Sequence, residues 1–388
     1  MNIPKLRFKD NNGNDYPQWE KKLIKDILKI YHGKDYKNEP NEKKLYPVLG
    51  TGGIITYIDK FLCDWECVLI GRKGTINKPQ YMKTPFWSVD TLFYSKPKLK
   101  QNPKFQYYLF QNINWKIYDE STGVPSLSAS TIEHINRFIP TYAEQEKIAS
   151  FFSTIDKKIE NLENTITSLE NQKKGLLQQI FSQKLRFKDK NGNNYPNWEK
   201  KKLGKLLSIT SSKRVHEADW TTSGIPFYRA RDIVSIFNNK PISKIYISEK
   251  LYEECSSSCG KISENDLLVT GVGTIGIPYL VKKSDKFYFK DGNIIWLKNS
   301  PAIYGKYLFY IFISSYVQKQ INMMTGKGTV GTYTIKNAKD TNILLPCLEE
   351  QTKIADFLSE FDRKLDNQKA QLEHWQQIKK GLLQQMFV

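Results

Sequence analysis

"KLRFKDNNGNDYPQWEKK" at residues 5–22 and "KLRFKDKNGNNYPNWEKK" at residues 184–201 differ only at Asn11/Lys190, Asp15/Asn194 and Gln18/Asn197. Agreement of that length excludes chance, so the chain contains an internal duplication, and its architecture is that of one unit written twice. A second pair of segments aligns without a gap, from Ile139 to Phe181 against Leu345 to Phe387. Its landmarks are Pro140/Pro346, Glu144-Gln145/Glu350-Gln351, Lys147-Ile148-Ala149/Lys353-Ile354-Ala355 and the string "KKGLLQQ" at 173 and again at 379. The order is therefore module, helix, module, helix, with expected boundaries at 1–142, 143–183, 184–347 and 348–388.

Apolar residues in the aligned segments alternate in steps of four and three. The first runs Ile148, Phe152, Ile155, Ile159, Leu162, Ile166, Leu169, then Leu176 and Ile180. The second runs Ile354, Leu358, Phe361, Leu365, Leu372, Trp375, Leu382 and Met386, with Gln368 in one slot. This is a heptad seam, and its expected partner is the other copy, packed antiparallel as a coiled coil with approximate two-fold symmetry. About 33 residues at ~1.5 Å each make a rod of ~50 Å, comparable with about 15 base pairs of DNA. Lys173 and Lys379 interrupt the seams where an apolar residue is due, with Gly175 and Gly381 close behind. Two readings are open: the seam frays there and the lysines reach outward, or "KKGLLQQ" docks another subunit.

Between these anchors the modules share only echoes, "LIGRKGTI" at 69–76 beside "LVTGVGTI" at 268–275 and "YPVLG" at 46 beside "IPFYR" at 225. Both are rich in short β-branched and aromatic stretches such as "GGIITYI", "CVLIGR", "FWSVDTLFY" and "GNIIWLK", punctuated by Gly and Pro. Those read as strands with tight turns, while 103–111 and 302–321 read as helical. The fold class expected is α+β, with two modules built on mostly antiparallel sheets. A retained frame with a diverged interior is what results when the frame binds a common partner and the interiors read different targets.

Lys and Arg total 59 against 40 Asp and Glu, a net charge of +19, with 39% hydrophobic residues and 13% aromatics. The chain is expected to fold, and to meet a polyanion. The opening segment lacks the apolar core of a signal peptide, and no apolar run approaches the ~20 residues of a membrane span, so a cytoplasmic location is expected. Five cysteines, an odd number, argue against a disulfide framework.

The expected DNA contacts lie in the loops. Arg72, Lys73 and Lys78 flank "GTIN" in the first module, and Lys213, Arg214, Arg229 and Arg231 crowd the start of the second. Arginine and lysine pair with phosphates, and arginine with guanine edges. Thr51, Tyr57, Ser126, Thr270 and Lys327 complete the candidate set. Loop cations are usually solvated surface, so phosphate contact is the commoner role expected. "GTGG" at 50–53 lacks the frame of a phosphate loop and reads as a turn. Cys63/Cys67 and Cys255/Cys259 share a spacing but have no histidine at ligand distance in sequence, so no metal site is expected. His32, His134, His216 and His374 are scattered, and no catalytic constellation can be assembled.

The repeated opening "LRFKD…YPxWEKK", the stretches "IPTYAEQEKIASFF" and "LPCLEEQTKIADFL", and the heptad helices ending "KKGLLQQ" together resemble the specificity (HsdS) subunit of type I restriction-modification systems, over nearly the whole chain. The resemblance implies two target recognition domains, each reading half of a bipartite asymmetric site on double-stranded DNA, with the paired helices fixing the gap. It implies as partners two methyltransferase subunits, which use S-adenosylmethionine on adenine N6, and restriction subunits that use ATP with Mg. The chain has no [DN]-P-P-[FYW], Walker A or recognisable nuclease motif. No cofactor is expected in it, and its contribution would be placement of a partner on an adenine flipped from the stack. The competing reading is a stand-alone basic coiled-coil protein, structural or nucleic-acid-binding.

Overall fold

The structure is a computed structural model describing residues 4–326 and 331–387. By their contacts the residues fall into two units, Met1–Asn164 with Gln368–Val388, and Thr165–Asn367. The four segments expected from sequence therefore regroup, because each long helix, Tyr142–Phe181 and Leu348–Met386, is shared between both units.

The modules have related topologies despite their unlike sequences. In the first, a four-stranded antiparallel sheet runs Leu28–Tyr31, Leu92–Pro97, Cys67–Gly71, Gln80–Met82. Beside it in sequence is a three-stranded sheet in which Tyr46–Gly50 pairs antiparallel with Gly53–Ile58 and parallel with Trp87–Ser88. The second module repeats this with Ile209–Thr210, Ile294–Leu297, Leu267–Thr270, Pro278–Leu280, and with Ile225–Tyr228 pairing antiparallel with Tyr246–Ile247 and parallel with Tyr288–Phe289, and adds one edge strand, Trp220–Thr221, on Tyr246–Ile247. Each module is closed by a two-stranded ribbon from its repeated opening segment, Glu20–Leu23 on Asn136–Ile139 and Glu199–Lys202 on Asn342–Leu345. The expected helix at 103–111 is Pro103–Asn112, started by the Asn102 side chain accepting from the Phe105 amide. The stretch at 302–321 is two helices, Gly305–Ile313 and Ser315–Thr325, because Ser314 is extended (φ −70°, ψ 154°) and its hydroxyl donates to the Ile311 carbonyl.

The retained residues of the frame have a packing reason. Glu144 is fully buried, and its carboxylate accepts from Arg7 Nε at 3.0 Å, Arg7 Nη2 at 2.7 Å and Trp19 Nε1 at 3.1 Å. Glu350 repeats this with Arg186 at 3.1 and 2.8 Å and Trp198 at 2.8 Å. Gln145 and Gln351 each accept from a module amide, Asn102 or Tyr304, while donating to the proline carbonyl that precedes the helix. Such a buried carboxylate needs all its donors, so the opening segment, module and helix start are tied into one core.

The seam residues are shared between helix pairing and the module cores. In the first unit Ile148, Phe152 and Ile155 pack with Trp19, Phe105 and Tyr108 and with Leu383 and Met386 of the second helix and Phe387 just beyond its end. As the first helix proceeds from Phe152 to Asp156, its neighbours on the second run back from Phe387 to Lys379, which makes the pairing antiparallel. In the second unit Ile354 and Leu358 pack with Ile180, Phe181, Trp198 and Tyr307 in the same sense. Leu162, Ile166 and Leu365 are buried; Ile159, Leu169, Phe361, Leu372 and Trp375 are half-buried.

The seam lysines do not reach outward from a frayed seam. Lys379 pairs with Asp156 at 2.7 Å and lies 5.5 Å from the Tyr108 ring, whose hydroxyl donates to the same Asp156 at 2.7 Å. Lys173, Asp362 and Tyr310 repeat the arrangement. Both lysines are half-buried, and the helices continue past them, so each is a polar lock within a seam, a residue choice that specifies register at some cost in stability. Burial pushes both phenols up, and the neighbouring aspartate adds to the shift. A Cβ at Gly175 or Gly381 would meet nothing within 4 Å, so close approach does not explain those glycines.

Candidate nucleic-acid interface

In the first module the strand Cys67–Gly71 runs into a turn that only glycine permits. A Cβ on Gly71 would sit 2.3 Å from the Thr75 carbonyl oxygen, and Gly74 has φ +89°. The turn is held against residues 125–127: Gly74 N donates to Pro125 O, Leu127 N donates to Arg72 O, and Lys73 bridges Ser126. The tip of the hairpin at Thr51 reaches the same place, since Gln80 Nε2 holds the Gly50 carbonyl at 2.9 Å and Thr51 Oγ1 lies 4.0 Å from where a Gly74 Cβ would stand. "GTGG" is thus a turn, as expected.

Four candidates, Thr51, Arg72, Lys73 and Ser126, are brought together in this way, and the last three line a cleft of about 640 Å³ with His32, Asp90 and Glu120. Arg72 pairs with Asp90 at 2.8 Å, both exposed, an interaction worth ~0–1 kcal/mol that leaves the guanidinium available. Lys73 and Lys78 are exposed. Tyr57 is 42% exposed on the edge strand Gly53–Ile58, beside exposed Ile54 and Ile55, where a register shift opposite Val48/Leu49 adds a residue.

The corresponding turn of the second module, Gly271–Thr274, carries no cation. A Cβ on Gly271 would lie 2.7 Å from the Tyr333 carbonyl oxygen. Thr270 is fully buried; its hydroxyl donates to Thr274 O at 2.6 Å and accepts from Ile277 N at 3.0 Å. The expectation that Thr270 contacts DNA is corrected: it closes the turn and has no surface to present. Val272, Gly273 and Thr274 line a cleft of about 670 Å³ together with the helix Ala230–Phe237, which the sequence did not reveal.

The basic candidates of this module divide. Arg229 is half-buried and lines the cleft, with its guanidinium held by both Asp232 oxygens, at 2.9 and 3.3 Å, and lying over the Trp220 ring, so it also fixes the first turn of the helix. Arg231 is exposed on the same helix and lines the cleft. Lys213 is exposed, its amide donating to the Tyr288 phenol. Arg214, also exposed, pairs with Asp291 at 3.1 Å beside a smaller adjoining hollow of about 340 Å³. Lys327 lies outside the described residues. Lys240, Lys290, Asn238 and Asn293 also line the larger cleft and were missed, because only tertiary contacts bring those segments together.

Cys255 and Cys259 owe their spacing to one turn of the helix Glu249–Cys259. Cys63 and Cys67 are buried with sulfurs 3.8 Å apart. Among the described residues no group of three metal-ligating side chains converges, and no helix is long and apolar enough to cross a membrane.

Duplicated α+β modules, each with exposed cations at a cleft beside the turn after its Cys67–Gly71 or Leu267–Thr270 strand, make a scaffold with the chemistry of a nucleic-acid binder. The family model of the type I restriction modification DNA specificity domain matches residues 16–171 and again 195–374. The chain therefore belongs to that family. It is 26% identical to a putative type I restriction enzyme specificity subunit of Haemophilus influenzae, over 81% of this chain and 80% of that one. It is 24% identical to the MjaVIII specificity subunit of Methanocaldococcus jannaschii, over 97% and 94%. Its fold is similar to the crystal structure of a type I S subunit from M. genitalium, with a TM-score of 0.64 and 19% identity over 100% of this chain and 99% of the other. A chain from a structure of the assembling type I restriction-modification system has a TM-score of 0.55 at 14% identity, over 95% and 97%.

Proposed function

We propose that this chain is the sequence reader of a type I restriction-modification complex. Each module reads one half of a bipartite, asymmetric DNA site, and the helices set the unspecified gap between the halves. The reader performs no bond-making step; it positions adenine-N6 methyltransferase subunits, which bring S-adenosylmethionine, and restriction subunits, which bring ATP and Mg, all in the cytoplasm. The observation that carries this reading is the contrast between the copies. Two modules of related topology keep nearly identical opening segments and shared helix landmarks, while the turn over each cleft is Arg72-Lys73 in one and Gly271-Val272 in the other.

Retained identity on the outside of the frame supports two like partners. Lys5/Lys184, Lys174/Lys380 and Gln178/Gln384 are identical pairs, exposed in both copies. Backbone bonds Leu6 N to Gln385 O and Leu185 N to Gln179 O bring the opening segments beside those helix ends. Mapping methylated adenines in cells with and without the chain, its methyltransferase partner being present in both, tests the proposal. A split motif should appear only with the chain; an unchanged pattern would overturn the reading in favour of a stand-alone basic coiled-coil protein.

A further inference from the structure

Because the two modules share their four-stranded sheets and the pairings of Tyr46–Gly50 and Ile225–Tyr228, the connections that differ can be compared in place. After Tyr46–Gly50 the first module turns at once into Gly53–Ile58. After Ile225–Tyr228 the second inserts the helix Ala230–Phe237 and a further loop before its antiparallel return at Tyr246–Ile247. The insertion stands across the cleft from the turn that both modules share.

The helix has one buried and one open face. Ala230 and Ile233 pack into the cluster of Leu268, Phe289 and Trp296, and Arg229 is held by Asp232. Arg231, Val234, Ser235 and Asn238, at the i, i+3, i+4, i+7 spacing of one helix face, line the cleft. Arg231 is exposed and has no carboxylate partner among the described residues. Asn238 donates to Val234 O through Nδ2 at 2.8 Å, which leaves its amide oxygen open. Lys240 and Lys290 also line the cleft, with Glu217 the one carboxylate among the described lining residues. The Trp220 ring forms part of the wall of the same cleft. A cationic border and an exposed arginine on a rigid helix are what a ligand rich in acceptors would complete.

We propose that the helix Ala230–Phe237 is the base-reading element of the second module. Its open face is presented to base edges in the major groove, with Arg231 selecting a guanine through O6 and N7 and Lys240 and Lys290 taking the flanking phosphates. This rests on the reading of the chain as a DNA-specificity subunit and names the residues of one half-site.

The test uses the full chain with its methyltransferase subunits and reads the methylated motif base by base for wild type, Arg231→Ala, Arg231→Lys and Lys290→Ala. Arg231→Ala should relax one guanine position in one half-site by about tenfold or more, with the other half-site unchanged. Arg231→Lys keeps the charge but not the two-pronged geometry, and should relax the same position while retaining most of the overall methylation. Lys290→Ala should weaken all sites alike and lower the salt dependence of binding by about one unit of slope. If wild type directs a split motif that Arg231→Ala leaves intact, or weakens uniformly, the helix assignment is overturned and the function stands. If wild type directs no motif, both are overturned. Arg231 is exposed, so an unchanged melting temperature separates these outcomes from misfolding.

Discussion

Cutting the chain after Gln183 would leave one module with one helix, and the structure says what that fragment lacks. The core around Trp19, Phe105 and Phe152 loses Leu383, Met386 and Phe387, and Asp156 loses Lys379. The fragment carries equivalents of all four in Leu177, Ile180, Phe181 and Lys173, which in the intact chain serve the second unit. A second copy can therefore supply them in trans. Burying three such side chains is worth about 6 kcal/mol, at ~1.5–3 kcal/mol each, and a two-fold dimer does so twice. Against ~12 kcal/mol stands an association cost of at least about 5 kcal/mol, leaving roughly 7 kcal/mol and a Kd on the order of 10 µM. Sedimentation at about 100 µM should show a dimer, and Phe181→Ala, costing ~3–5 kcal/mol per site, should return it to monomer. A fragment that is folded by circular dichroism yet monomeric at about 100 µM would refute the pairing argument.

Other outcomes follow from the same geometry. Glu144→Ala strands Arg7 and the Trp19 N–H in a buried site and should cost about 3 kcal/mol, near the lower end for a broken buried pair because Arg7 keeps some access to water, read by urea unfolding; Glu350→Ala should act alike on the second unit. Gly175→Ala and Gly381→Ala, which meet no neighbour, should each raise stability by about 1 kcal/mol. Tyr108 and Tyr310 have folded-state pKa values above the ordinary 10.0, so the stability they contribute is complete below that pH and is lost as pH rises beyond it. Absorbance titration should therefore show both phenols resisting ionisation until the chain unfolds, with Tyr108→Phe and Tyr310→Phe lowering a late component to which buried Tyr279, Tyr288, Tyr307 and Tyr333 also contribute. Replacing Ile159 and Leu365 with charged residues should disturb assembly or half-site spacing before either module's base preference, as methylated-motif mapping would show.

The frame was legible in the sequence because its signals are local or repeated. Heptad spacing, the paired opening segments and the matched "EQ" landmarks lie within short windows, and duplication displays them twice. The strands that sit on apolar runs, such as Cys67–Gly71 and Ile294–Leu297, were legible for the same reason, whereas short ones such as Ile209–Thr210, Tyr246–Ile247 and Tyr288–Phe289 were not. The modules' shared topology was not legible either, since strand partners such as Val48 and Trp87, or Phe227 and Tyr288, are set by distant pairing. The clefts lay further out of reach. Arg229 and Arg231 are alike in sequence, and only Asp232 and Trp220 closing on the first distinguish a holding residue from an open one. Thr270 looked like a loop contact until the turn folded over its hydroxyl. Lys173 and Lys379 looked like faults in a seam until Asp362 and Asp156 arrived from the opposite helix. Sequence by itself determined the duplication, the helices and the charge that calls for a polyanion. Tertiary structure decided which cations are free to meet it, because a side chain's freedom depends on partners that only folding brings within a few ångströms.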